Sequence, residues 1–357
     1  MDSKTFTKKI IITIVVLMVI TGGLVIVVDP FFHYHGPIGN LQPIQWVKEY
    51  QVNGALEHLD YDAVLVGSSV VMNMDNTILD DAYGCNSIKT VGSGANTDLL
   101  LYYINKAYEN HDLRYVFYGI DIDALSGEYE ENTTQDQVIY MKNNNPFDDV
   151  EYIYNRDVIF KYIPDMIIQS GKGWDRGMAY NFARYETFDA DYTVNRYLEE
   201  FGDRIDYNKV KSNKPKEIAE DYKNNIGMIE DTVKSHPETQ FIFFFPIRSV
   251  LYYDACYEKT EERYMVAEYV VDCLDKYDNV TFYKGIINDR EHMTNLDNYC
   301  DWTHASYDYN CETARKLVPG SDVITVDTIR EETETHREIV EEFEEKLRKE
   351  ESYDFIR

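Results

Sequence analysis

A long uncharged run opens the chain, and short apolar runs then alternate with helically spaced ones. Residues 10–28 read IIITIVVLMVITGGLVIVV. At about 1.5 Å per residue, a helix of that length comes close to a hydrocarbon core of roughly 30 Å. YDAVLVGS (61–68) is a nearly continuous apolar run, as expected of a strand buried on both faces of a parallel sheet. Further strands are predicted over SIKTVGSG (87–94), LRYVFYGIDI (113–122), QFIFFFPIRS (240–249) and NVTFYKGI (279–286). TDLLLYYINKAYEN (97–110) has helical apolar spacing, with Asn96 or Thr97 as its cap, and more helix is predicted around 215–235 and 258–276. Strand and helix in alternation predict an α/β fold: a parallel sheet with helices on both faces.

Two stretches break this rhythm. Residues 126–214, rich in Tyr, Asn and Asp, read as a partly helical insertion between the third and fourth strands. Such an insertion either shapes a site at the carboxyl edge of the sheet or merely elaborates the packing. The tail IREETETHREIVEEFEEKLRKEE (329–351) predicts a charged helix with a narrow stripe of Ile339, Val340, Phe343 and Leu347, suited to docking on the body or pairing with another chain. The expected organisation is a cytoplasmic N-terminus (1–9), a transmembrane helix (10–28), a juxtamembrane segment (29–57), an α/β domain (58–325) carrying the insertion, and the C-terminal helix (326–357).

Charge fixes the topology. Lys4, Lys8 and Lys9 precede the apolar run and Asp29 follows it, so the residues beyond about 30 are expected outside the cytoplasm. The run is longer than the apolar core of a signal peptide, and no small-x-small cleavage site follows. A single-pass anchor in the cell membrane is therefore preferred to a cleaved leader. The formal net charge of −29 over 357 residues gives no reason to bind nucleic acid, whose phosphates would repel it. The 31 tyrosines suit contacts with carbohydrate, because rings stack and hydroxyls bond. Five cysteines lack CxxC spacing, which argues against a zinc ribbon; an exported chain could pair some of them, but buried thiols are the plainer reading. His33 and His35 in DPFFHYHGPIG (29–39) have i, i+2 metal-ligand spacing, but an aromatic patch at the membrane interface accounts for the stretch better. No metal and no cofactor is expected.

Three short motifs carry the candidate chemistry. Gly67-Ser68-Ser69 ends the first strand, where a serine is accessible and its N–H can face a developing negative charge. Taken alone, helix capping by either serine explains it. Gly92 and Gly94 in VGSGANT allow a backbone N–H to approach a ligand, although a tight turn needs them equally. In DWTHAS (301–306), His304 is a candidate base for a serine hydroxyl, with Asp301 on the same turn to hold its tautomer.

In that order along the chain, the motifs resemble the SGNH/GDSL hydrolase superfamily over roughly residues 58–318. The resemblance implies a flavodoxin-like three-layer α/β/α fold, with Ser69 as nucleophile and Asp301 and His304 completing a triad. It implies oxyanion donors at Ser69 and Gly94. The third motif of the superfamily is Gly-x-Asn-Asp; here YGIDID puts Asp121 in place of the oxyanion Asn. An ionised Asp accepts hydrogen bonds and would repel an oxyanion. An N-terminal anchor before such a domain resembles the membrane-anchored branches, among them the teichoic-acid D-alanylation and alginate O-acetyltransferase groups. The function so implied is a serine esterase or O-acyltransferase acting on envelope polysaccharide or a teichoic-acid-like polymer, with an acyl donor or a membrane acyl-transfer protein as partner. The competing expectation is an inactive binding or scaffold protein on the same fold, motivated by Asp121.

Overall fold

The computed structural model describes residues 2–42, 48–127, 145–173, 192–202 and 215–350. The chain divides into two units: Met1–Asp60 with Thr133–Tyr180, and Tyr61–Asn132 with Asn181–Arg357. The juxtamembrane segment and the first part of the insertion, expected as separate pieces, thus share one unit. Insertion residues 128–144, 174–191 and 203–214 lie outside the described residues, as does the end of the tail, 351–357.

The first unit contains a helix, Ser3–Val28, that is long and apolar enough to cross a membrane. It ends on Asp29, whose left-handed backbone (φ 43) turns the chain. The Asp29 carboxylate is buried and accepts from the N–H groups of His33 (2.9 Å), Tyr34 (2.6 Å) and His35 (3.0 Å), and from the Tyr152 hydroxyl (2.7 Å). The histidine rings go elsewhere. His33 Nε2 meets Asp149 at 3.0 Å, while His35 bonds the carbonyls of Gly36 and Ile26. The two rings therefore do not converge on a common metal position.

The second unit is built on a sheet in the order β2-β1-β3-β4-β5-β6: β1 Ala63–Ser68, β2 Ser87–Gly92, β3 Tyr115–Gly119, β4 Gln240–Phe244, β5 Val280–Tyr283 and β6 Val323–Ile324. The first five are parallel, and β6 is antiparallel to β5. The five predicted strands are all present. β6 is two residues long, too short to leave a pattern in the sequence.

Both sheet faces are covered. Successive strand residues point to opposite faces. Ala63, Leu65, Phe117, Ile242 and Phe244 share a core with Leu79 of the helix Thr77–Tyr83 and Ala314 of the helix Tyr307–Lys316. The alternate residues Val64, Val66, Val116, Tyr118, Phe241 and Phe243 are as deeply buried, and the helix Thr97–Asn110 packs on β1 and β2. Asn96 caps that helix by accepting from the Leu99 N–H. Lys89, on the edge strand β2, is also buried; its ammonium donates to the Met72 carbonyl at 3.0 Å, and burial lowers its pKa to about 7. The tail forms the helix Ile329–Glu350, and its stripe of Ile339, Val340, Phe343 and Leu347 is buried with Ile247, Val250 and Leu251. Of the two uses predicted for the stripe, docking on the body is the one observed. No cysteine forms a disulfide, and Cys300 and Cys311 are buried thiols.

Candidate active site

Strand order reverses between β1 and β3, so the crevice beyond their carboxyl ends is where an open α/β sheet binds ligands. Two glycines shape this edge. A Cβ on Gly67 would lie 2.6 Å from Val71 Cγ2, and one on Gly119 would lie 2.5 Å from Val71 Cγ1. Without side chains at the ends of β1 and β3, Val71 packs back against the sheet and folds Ser69–Val71 into a tight turn. That turn is a single 3-10 turn. Charge stabilisation here would rest on individual N–H groups rather than on a helix dipole.

The turn presents the two serines differently. Ser69 is half-buried, and its Oγ lies 2.7 Å from His304 Nε2. His304 Nδ1 lies 2.7 Å from Asp301 Oδ2. Asp301 Oδ1 accepts from the N–H groups of Thr303 (2.8 Å) and His304 (2.7 Å). Burial opposes ionisation of Asp301, but the bonds from the His304 ring and the two N–H groups overcome it and hold the carboxyl below its ordinary range. An ionised Asp301 accepts a hydrogen bond from Nδ1–H and so holds the proton on that nitrogen, leaving Nε2 as the acceptor for the Ser69 hydroxyl. The structure thus brings Ser69 to His304, across 235 positions of sequence, and so to Asp301.

The loop that carries His304 is clamped at its base. Tyr299 and Ala305 form an antiparallel bridge, and the Cys300 N–H donates to the His304 carbonyl at 2.8 Å. Asn73, just past the serine turn, donates to the Ala305 carbonyl at 3.2 Å. Residues of the insertion lean on the same loop: the Tyr192 N–H bonds the Tyr299 carbonyl, and Phe201 packs edge-on to Trp302 with centroids 5.3 Å apart.

Ser68 is buried and turns the other way. Its Oγ donates to Asp121 Oδ2 at 2.5 Å, so it does not cap the turn. Asp121 Oδ1 receives the Arg248 guanidinium at 2.9 Å and the Asp123 N–H at 3.3 Å. Arg248 also donates to the Thr303 hydroxyl, next to His304, and stands 4.6 Å over the Tyr252 ring. Both Asp121 oxygens therefore accept hydrogen bonds. This corrects the place of Asp121 among the oxyanion residues: it anchors Arg248 and Ser68 instead. Gly94 lies two residues past β2, with a left-handed backbone (φ 57). Since Ser68 pairs with Gly92, this turn sits beside Ser69 at the same sheet edge.

Sequence reasoning missed the bond of Ser68 to Asp121, and it missed Asn73, Thr303 and Arg248. Only Arg248 had a visible signal, as a charge directly after the apolar run FFFPI of the fourth strand. A cavity of about 90 Å³ adjoins Asp121 and Arg248, walled by Ile120, Phe245, Ile247 and Tyr264; Ser69 and His304 do not line it.

A comparison with known protein families finds no family model that matches this chain, and none of the curated proteins matches it.

Proposed function

We propose that this protein is a membrane-anchored serine esterase or O-acyltransferase whose α/β domain lies outside the cytoplasm and acts on envelope polysaccharide or a teichoic-acid-like polymer. One observation carries the reading: the continuous chain from Ser69 Oγ through His304 to Asp301 at the switch point of the sheet. The order β2-β1-β3-β4-β5 is that of flavodoxin-like sheets, which supports the resemblance to the SGNH superfamily. The helix Ser3–Val28, with lysines at its start, supports the anchor and its orientation.

In this mechanism Ser69 Oγ attacks an ester carbonyl while His304 Nε2 takes the hydroxyl proton. The tetrahedral intermediate places its oxyanion toward the N–H groups of Ser69 and Gly94. It collapses as His304 returns the proton to the leaving alcohol, and the acyl group remains on Ser69. Water or a polymer hydroxyl then attacks that ester, with His304 again as base, and Ser69 is regenerated. Which acceptor enters decides between hydrolase and transferase, so the insertion residues packed on the His304 loop bear on water exclusion.

The test uses the full chain in detergent, because Met1–Asp60 shares a unit with later residues and trimming the anchor would cut into it. A fluorophosphonate probe and short p-nitrophenyl esters are offered to the wild type, Ser69→Ala and His304→Ala. Labelling and turnover in the wild type alone are expected. A folded wild type that neither labels nor turns over any ester, including polymer-linked acyl esters, would favour the inactive scaffold.

A further inference from the structure

The first unit carries an apolar surface that the proposed chemistry does not use. The helix Val150–Ile153 packs on the outer part of the apolar helix Ser3–Val28. A Cβ on Gly22 would lie 3.1 Å from Ile153 Cγ2, and the Tyr154 hydroxyl donates to the Met18 carbonyl at 3.3 Å. Gly22 stands six residues before the end of that helix, about 9 Å down its axis. Segments that touch the helix at Gly22 and Met18 lie against the outer half of its apolar run.

The chain continues through a π-turn, Val158–Tyr162, into the helix Ile163–Gly171. This run is apolar on two sides. Val158, Ile163 and Met166 are buried, while Phe160 is 77 % exposed, Ile167 47 % and Ile168 51 %. Phe147, just before it, is 87 % exposed. A contiguous exposed apolar surface marks an interaction site. The occupant follows from continuity. Val19, Ile20 and Val27 of the adjoining helix are equally exposed and would face acyl chains once it spans a membrane. The bonds from Tyr152 to Asp29 and from His33 to Asp149 tie the run to the end of that helix, so both meet the same solvent. Exposed Arg156, Asp157 and Lys161 confine the seating to the headgroup level, where tyrosines and lysines are at home.

We propose that Phe147–Gly171 lies in the outer-leaflet interface as a second membrane contact, with Phe160, Ile167 and Ile168 set among the upper acyl carbons. This rests on the anchor reading above. The protein would then hold the membrane by a spanning helix and an interfacial one.

The test places the full chain in phosphatidylglycerol–phosphatidylcholine nanodiscs without bromine, with bromine near the headgroup end of the acyl chains to read positions 160 and 168, or with bromine near their methyl end to read position 17. New tryptophans at exposed positions, Phe160→Trp and Ile168→Trp, are read against the wild-type signal. Leu17→Trp reports on the anchor and Met228→Trp on an exposed helix of the other unit. A side chain at the headgroup–acyl boundary should lose added emission to the headgroup-end bromine, and Met228→Trp should lose none. Quenching at Leu17 without quenching at 160 and 168 overturns the second contact and leaves the anchor standing. No quenching at Leu17 overturns the anchor and this inference together. Equal quenching at 160, 168 and 228 also overturns it, because contact would then not be particular to this surface.

Discussion

Two loops of this protein contain the same ingredients, an Asp followed within a few residues by His, and use them in opposite ways. In DPFFHYH the Asp29 carboxylate is filled by three backbone N–H groups and a tyrosine, and the rings of His33 and His35 bond elsewhere. In DWTH the Asp301 carboxylate divides its two oxygens: one holds the loop backbone and the other holds the His304 ring. The far side of that ring then meets a half-buried serine. Spacing alone does not make a proton relay. The difference lies in whether the backbone leaves one carboxylate oxygen for the imidazole and whether a hydroxyl waits at its other nitrogen.

The largest test of this contrast is on the relay. If Ser69, His304 and Asp301 act as one, Ser69→Ala and His304→Ala should each lower ester turnover by about 10⁴-fold or more, and the double variant should lose little beyond either single one. Additive losses in that double variant would break the relay. Asp301→Asn should keep the fold and still cost about 10⁴ in kcat, because the wrong tautomer then faces Ser69.

A second test concerns the support behind the relay. Arg248 and Asp121 form a buried ion pair, with side chains 9 % and 3 % exposed. Arg248→Met should destabilise the protein by about 3–5 kcal/mol in urea unfolding, since it strands the Asp121 charge. A cost below about 1 kcal/mol would mean that the pair acts like a surface one. On the other side of the comparison, Asp29→Ala should weaken the first unit by about 3 kcal/mol, because four donors lose a charged acceptor. The effect should show as faster amide exchange at His33, Tyr34 and His35. Unchanged exchange there would remove the structural role of Asp29.

The smallest expected effect belongs to a histidine paired with no carboxylate. His336 is buried against Tyr264, and burial, with the Arg337 charge, lowers its pKa to about 4. The unfolded chain binds this proton near pH 6.5 and the folded chain does not, so stability falls as pH drops from about 6.5 to 4. At pH 5 the loss relative to neutral pH should be about 2 kcal/mol, and His336→Asn should abolish it. An unchanged pH slope in that variant would assign the acid sensitivity to other groups.

The sequence made the sheet legible because its five parallel strands are continuous apolar runs, and such runs have few other uses. Ser69, Asp301 and His304 were legible only through the order of their motifs, whose resemblance to the SGNH superfamily implied the pairing of a strand-end serine with DxxH. What lay hidden depends on partners far along the chain. Ser68 and Ser69 are indistinguishable in the string GSS until Asp121 draws one inward and His304 the other. The role of Asp121 could not be read without Arg248, which joins it across 127 positions. The division of the insertion was invisible for the same reason, since Asp149 and Tyr152 find their partners near the end of the first helix.

The two outer strands have a consequence for how this protein avoids its own kind. An edge strand offers unpaired backbone groups to any passing chain, and an accessible edge invites sheet-to-sheet growth. One edge here is β6, only two residues long, which gives a visitor little to pair with. The other is β2, and it carries Lys89 turned inward. A strand sliding out of register would drive that ammonium against apolar neighbours, so an inward-turned lysine on an edge strand disfavours misassembly.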